Sequence, residues 1–119
     1  DYVTLAGMVA VHQFCRIGRH SFIAGGSLVR KDIPPYVKAA REPLSFVGIN
    51  SVGLRRRGFD TNTIKSIQNI YRILFQKKHN NTQAISIIEA ELEATKERDE
   101  ILSFIQNSQR GIMKGYFQN

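Results

Sequence analysis

Taking every sixth residue from Leu5 gives Leu5, Val11, Ile17, Ile23 and Val29, an unbroken aliphatic column. Four positions after each stand Val9, Cys15, Ser21, Ser27 and Ile33, a second column that is mostly small. A period of six does not keep side chains on one face of an α-helix, and Gly7, Gly18, Gly25 and Gly26 would weaken one. The pattern instead predicts a parallel β-helix. Each short strand sends one aliphatic side chain inward, and a small residue near each corner lets the chain turn. Such repeats build left-handed, three-sided coils of about 18 residues, so this segment supplies roughly one and a half. Ordinary β-strands at chance spacing are the alternative. Because solenoids need several stacked units to close their core, further coils are expected before Asp1.

The tandem prolines of Lys31-Asp32-Ile33-Pro34-Pro35-Tyr36 remove two backbone donors and end the repeat, and Arg41-Glu42-Pro43 makes a linker. A boundary near there divides the chain into 1–40, the last coils of a β-helix, and 41–119, a small helical domain. From Gly48 on, Ile49, Val52 and Leu54 suit a short helix that Gly58 terminates. Asp60 is a good N-cap for a longer helix whose Ile64, Ile67, Tyr71 and Leu74 form one apolar stripe. His79-Asn80-Asn81 breaks it. Residues 82–94 restart with Ile85, Ile88 and Leu92 inward, and a last helix carries Ile101, Phe104 and Ile105. The acidic run Glu89, Glu91, Glu93, Glu97, Asp99 and Glu100 has no neighbouring His or Cys and is expected to be a solvated face, not a metal site.

Charge changes the picture by its placement. The net charge is +7, and residues 1–59 hold nine Lys/Arg against three Asp/Glu, while residues 60–119 hold eight against seven. A basic surface attracts nucleic acid, anionic membrane, phosphorylated small molecules or acidic proteins, and net charge does not choose among them. The absence of Trp and the scattering of basic residues along a repeat count against a nucleic-acid-binding module. One cysteine, Cys15, forms no internal disulfide, and no run approaches the ~20 apolar residues of a membrane span or the layout of a signal peptide. A reduced, cytoplasmic setting is expected.

Several residues have the chemistry of a site. His12 and Gln13 follow the inward Val11 and should face solvent or a neighbouring subunit; the imidazole there is either a functional group or a surface histidine. His20 and His79 have no convergent partner and are taken as structural or surface residues. Arg55-Arg56-Arg57 suits diphosphate or carboxylate, or forms a solvated basic face. Successive helix residues point about 100° apart, so one or two of the three can meet a single ligand. The glycines do not form a dinucleotide loop.

His12-Gln13-Phe14-Cys15, Asp32-Ile33-Pro34-Pro35-Tyr36-Val37, Gly48-Ile49-Asn50 and Gly53-Leu54-Arg55-Arg56-Arg57-Gly58-Phe59 resemble, in order and spacing, the bacterial UDP-N-acetylglucosamine acyltransferases. Ser108-Gln109-Arg110-Gly111-Ile112 is similar to that family's closing segment. The resemblance implies a homotrimer of left-handed parallel β-helices with C-terminal helical domains and active sites between subunits. It implies transfer of an (R)-3-hydroxyacyl group from acyl carrier protein to the 3-hydroxyl of UDP-N-acetylglucosamine, the first step of lipid A biosynthesis. The family's histidine base lies on an earlier coil, and no position here matches its motif, so no catalytic residue is expected in this chain. Carried over by the resemblance are substrate-binding roles for His12, Gln13, Asn50, Arg56 and Arg57. Gly25 falls where residue size limits acyl length, and a glycine would leave room for a long chain. Val52 departs from the pattern, which has an acidic residue there. No cofactor and no metal are implied.

Lys31, Lys38 and Arg41, with Lys65, Arg72, Lys77 and Lys78, are expected to attract the acidic carrier protein. The rival readings are another hexapeptide acyltransferase, using acetyl-coenzyme A or acting as the N-acyltransferase later in the pathway, and a purely structural solenoid. Function rides on the site and not on the fold, so only the site separates them.

Overall fold

The structure is a computed structural model and describes residues 2–11, 13–41, 44–75, 80–108 and 111–115. The six-residue repeat folds as short parallel strands. β1 (Thr4–Leu5) pairs with β3 (Phe22–Ile23), and β2 (Ala10–Val11) with β4 (Leu28–Val29). In the register Thr4↔Phe22 and Val11↔Val29 one circuit takes eighteen residues. The next is shorter. Phe22 pairs with Lys38 of β5 (Val37–Ala40), and Ile17 bridges Ile33, each sixteen residues on. The columns Leu5/Ile23/Ala39, Val11/Val29 and Ile17/Ile33 mark the three faces of a prism. The repeat therefore makes about two circuits rather than one and a half, because β5 continues the stack after the prolines.

Ile23, Val29, Ile33 and Ala39 are buried, and full burial of such aliphatic side chains contributes roughly 1.5–3 kcal/mol each. Leu5 and Val11, with a coil on one side only among the described residues, remain 48% and 41% exposed. Six corners are turned by a residue in the left-handed region, Tyr2, Met8, Phe14, His20, Gly26 and Tyr36, with φ between 58° and 75°; the corner between β4 and Ile33, in the shorter circuit, has none. The small column follows one position later and lines the inside of the corners. Ser21 donates its hydroxyl to the Pro34 carbonyl at 2.9 Å. Gly18 is required by close approach, since a Cβ there would lie 2.3 Å from the Pro35 nitrogen.

Ser45–Ile49, inside the segment expected to be helical, is a strand, β6, antiparallel to β5. β5 would otherwise be an open sheet edge, and β6 covers it while burying Phe46 and Ile49. β7 (Lys114–Gly115) then adds parallel to β6, giving the order β1-β3-β5-β6-β7. The expected boundary near residue 40 thus falls between two hydrogen-bonded strands.

The helices follow their caps. α1 (Ser51–Arg56) begins at Asn50, and α2 (Thr61–Leu74) at Asp60, whose carboxylate accepts from the Thr63 amide at 2.7 Å. α3 (Asn81–Glu91) starts in a reciprocal Asn80/Gln83 capping box and ends before residue 94; Thr95 then caps α4 (Lys96–Gln106). α2 buries Ile64, Ile67, Ile70, Tyr71, Ile73 and Leu74, a wider face than the predicted stripe. Phe46 of β6 stacks on Tyr71 and Phe75, and the Tyr71 hydroxyl donates to the Pro35 carbonyl at 2.6 Å, so helices and coil share one core.

The acidic run is not wholly a solvated face. Glu97 is buried, and Glu100 accepts from Arg19 Nε and Nη2 at 2.8 and 2.9 Å and from the Tyr36 hydroxyl at 2.5 Å. These bonds clasp α4 to the corner of the coil. At the far end, Asp32 is 1% exposed and accepts from the Arg16 amide and the Ser108 hydroxyl, while its backbone bonds Gly111 and Met113. The closing segment is thereby strapped to the repeat.

Candidate functional site

Side chains alternate across a strand, so the residue before each inward aliphatic on the first face points out. Thr4, Phe22 and Lys38 form this outward column, in register across β1, β3 and β5. α1 lies against it. Between them is a cavity of about 350 Å³ walled by Thr4, Phe22 and Lys38 on one side and by Asn50, Val52 and Arg56 on the other. A second, of about 320 Å³, shares Thr4, Asn50, Gly53 and Arg56 and extends to Tyr2, His20 and Arg57. Volumes of this size suit a small ligand.

Asn50 organises the site from within. Its Oδ1 accepts from the Gly53 amide at 3.3 Å, capping α1, and its Nδ2 donates to the His20 carbonyl at 3.0 Å. Gly53 permits this, for a Cβ there would lie 2.4 Å from the Asn50 amide nitrogen. The three arginines part company as helix geometry requires. Arg55 reaches Thr61 at 3.5 Å, Arg56 lines both cavities, and the Arg57 guanidinium lies 4.1 Å from the centre of the Tyr2 ring. Such a cation–π contact is worth about 0.5–1 kcal/mol at an exposed site.

Tyr2, His20 and Tyr36 occupy one corner of successive coils and stack, with ring centres 5.0 and 5.7 Å apart; Phe59 meets His20 edge-on. His20 is a structural residue, buried at 5% exposure. Burial first, and then the Arg19 and Arg57 charges, pull its imidazole below the usual histidine range. Burial and the bond to Glu100 push the Tyr36 phenol up, and the bond to Glu100 strengthens the hold of Arg19 on its proton.

Of the expected site residues, Asn50, Arg56 and Arg57 are brought together. Gln13 lies exposed at the corner turned by Phe14, and Gly25 exposed at the corner turned by Gly26. Each is on a different edge of the prism from the arginines. A Cβ on Gly25 would come within 3.0 Å of the Gly7 carbonyl oxygen of the coil beneath. His12 lies outside the described residues, as do His79, Lys77 and Lys78. Val52 is 63% exposed at the cavity rim. Lys31, Arg41, Lys65 and Arg72 are exposed, whereas Lys38, grouped with them by charge alone, faces the cavity. Tyr2 and Thr4 went unnoticed, and His20 was set aside as a structural or surface residue, although Tyr2 and His20 are eighteen positions apart and so one coil apart in the repeat. Among the described residues no three His, Cys, Asp or Glu converge as metal ligands, and no helix is long and apolar enough to cross a membrane.

A hexapeptide-repeat left-handed β-helix capped by helices, with an arginine of the first helix turned into a cavity on the coil, defines the class. A family model described as UDP-N-acetylglucosamine O-acyltransferase, domain 2, matches residues 32–113. The chain belongs to that family. It is 43% identical over 114 residues to an acyl-[acyl-carrier-protein]–UDP-N-acetylglucosamine O-acyltransferase of Myxococcus xanthus, covering 96% of this chain and 44% of the relative. Among solved structures, a UDP-N-acetylglucosamine acyltransferase from Bacteroides fragilis superposes with TM-score 0.93 at 46% identity, covering 96% of this chain and 45% of that one. One from Francisella novicida gives TM-score 0.91 at 38% identity, covering 99% and 44%. The chain thus spans less than half the length of the relatives it matches.

Proposed function

We propose that this chain is the C-terminal part of an acyltransferase that moves an (R)-3-hydroxyacyl group from acyl carrier protein to the 3-hydroxyl of UDP-N-acetylglucosamine, opening lipid A biosynthesis in the cytoplasm. The observation that carries the proposal is the convergence of Asn50, Arg56 and Arg57 on two adjoining cavities in a member of this family. Arg56 and Arg57 offer planar donors to the diphosphate, and Asn50 holds the backbone of α1 that aims them.

Gln13, on another edge of the prism, meets the sugar nucleotide only from a neighbouring copy, which favours a homotrimer with sites between subunits. The base, a histidine on a coil outside this sequence, takes the proton of the sugar 3-hydroxyl. The oxygen attacks the thioester carbonyl, the C–O bond forms, the C–S bond breaks, and the carrier thiol leaves with the proton. Gly25, with no side chain at the corner, leaves room for a long acyl chain; a preference for ten-carbon donors would overturn that point.

The test is transfer from (R)-3-hydroxyacyl carrier protein to UDP-N-acetylglucosamine by the full-length protein, with Arg56→Ala alongside. Activity that drops by about tenfold or more in the variant supports both the reaction and the phosphate contact. A folded protein with no transfer to this acceptor, or one active with acetyl-coenzyme A instead, overturns the assignment.

A further inference from the structure

Among the described residues walling the larger cavity, Lys38 is the one cation of the β-helix that the fold turns toward α1. It stands at the outer end of the column Thr4, Phe22, Lys38, on the strand where the coil gives way to the hairpin. Opposite it, β6 carries an extra residue. Lys38 pairs with Gly48 and Ala39 with Phe46, so Val47 has no partner and the strand kinks there, with Gly48 at φ 148°. A bulge of this kind re-aims the strand beside a site, and β6 leads directly into Asn50 and α1.

Across the cavity, Val52 and Arg56 are four residues apart and share one face of α1. An acidic side chain at that spacing would pair with Arg56; Val52 cannot. Among the described residues no carboxylate lines the cavity, and neither Lys38 nor Arg56 makes an ion pair. Two cations, with no carboxylate between them among the described residues, thus face one space of about 350 Å³. Like charges held this way repel unless an anion lies between them.

We propose that Lys38 is a second anion-binding residue of this site, which with Arg56 clamps a doubly charged diphosphate from the opposite wall; the inference rests on the sugar-nucleotide reading given above. The helix arginine supplies a planar fork for one phosphate, and the lysine a mobile point charge for its neighbour. Lys38 thereby leaves the group of surface cations available to an acidic carrier. Lys31, Arg41, Lys65 and Arg72 stay in it.

The test compares Lys38→Met, Lys38→Arg and Arg56→Ala in the full-length protein, with KM for UDP-N-acetylglucosamine and kcat measured separately. Lys38→Met is expected to raise KM roughly tenfold with kcat within about twofold, and Lys38→Arg to restore most of the loss. Lys38 is exposed, so the thermal midpoint should hold and separate a binding defect from misfolding. A KM unchanged in Lys38→Met while Arg56→Ala raises it overturns the role of Lys38 alone. If neither variant changes KM, the diphosphate reading of the whole cavity falls, and this inference with it. A kcat loss in Lys38→Met with unchanged KM would also overturn the clamp.

Discussion

His20 shows how a residue without a sequence partner acquires one. Eighteen positions from Tyr2 and sixteen from Tyr36, it is sandwiched into a corner stack only because the coil closes. The folded state keeps its imidazole neutral, with its pKa below the ordinary value of about 6.5 that it regains on unfolding. Between those two values the unfolded chain binds the extra proton, so stability falls as pH drops through about 6.5 toward the lowered value and levels off beneath it. His20→Phe keeps the ring but cannot titrate. Urea unfolding at a series of pH values is expected to show a shallower decline for the variant across the mildly acidic range. Parallel slopes would mean that His20 is not the group responsible.

At the scale of elements, the six-residue columns were legible because every strand repeats one inward position. The β6 hairpin was not. Ser45-Phe46-Val47-Gly48-Ile49 is too short and too irregular for either period, and it is a strand because the last coil offers an edge to pair with. The left-handed corners were equally hidden, since Tyr, Met and Phe are not residues that ask for φ above zero. Each such non-glycine corner costs about 1–2 kcal/mol, which the stacked ladder on both sides offsets. Met8, 91% exposed with φ 63°, isolates that cost from packing. Met8→Gly is expected to raise stability by about 0.5–1 kcal/mol net of the added freedom of the unfolded chain, and the β-branched Met8→Val to lower it. Denaturant midpoints in the order Gly above Met above Val would support this. Any other order would place the strain elsewhere.

For the whole molecule, coil and helices share one core running from Ile23 to Met113, joined by the Tyr71–Pro35 bond and by the Glu100 clasp. Far-ultraviolet dichroism of the helices and near-ultraviolet dichroism of the tyrosines should therefore report one coincident thermal transition. Glu100→Ala takes the acceptor from the buried Tyr36 hydroxyl and should destabilise both signals together by about 1–3 kcal/mol. Two separate transitions would show that residues 1–40 and 41–119 fold as independent units.

The sequence by itself determined what is periodic or local: the inward columns, the cap at Asp60, the helix break at residues 79–81, the apolar stripe of α2, and an arginine triplet of which one helix face presents only part. These follow from neighbours a few residues away, or from a repeat that says the same thing at each turn. What only the tertiary structure decided was long-range. It took Glu100 from an acidic run and gave it to Arg19 and Tyr36, turned Lys38 from a surface charge into a wall of the cavity, and set Gln13 and Gly25 on other edges of the prism from Arg56. The physical reason is common to all of these. A side chain's charge and size are written in the chain, but its partner is fixed by closure of the coil and by the docking of α1 and α4 against it.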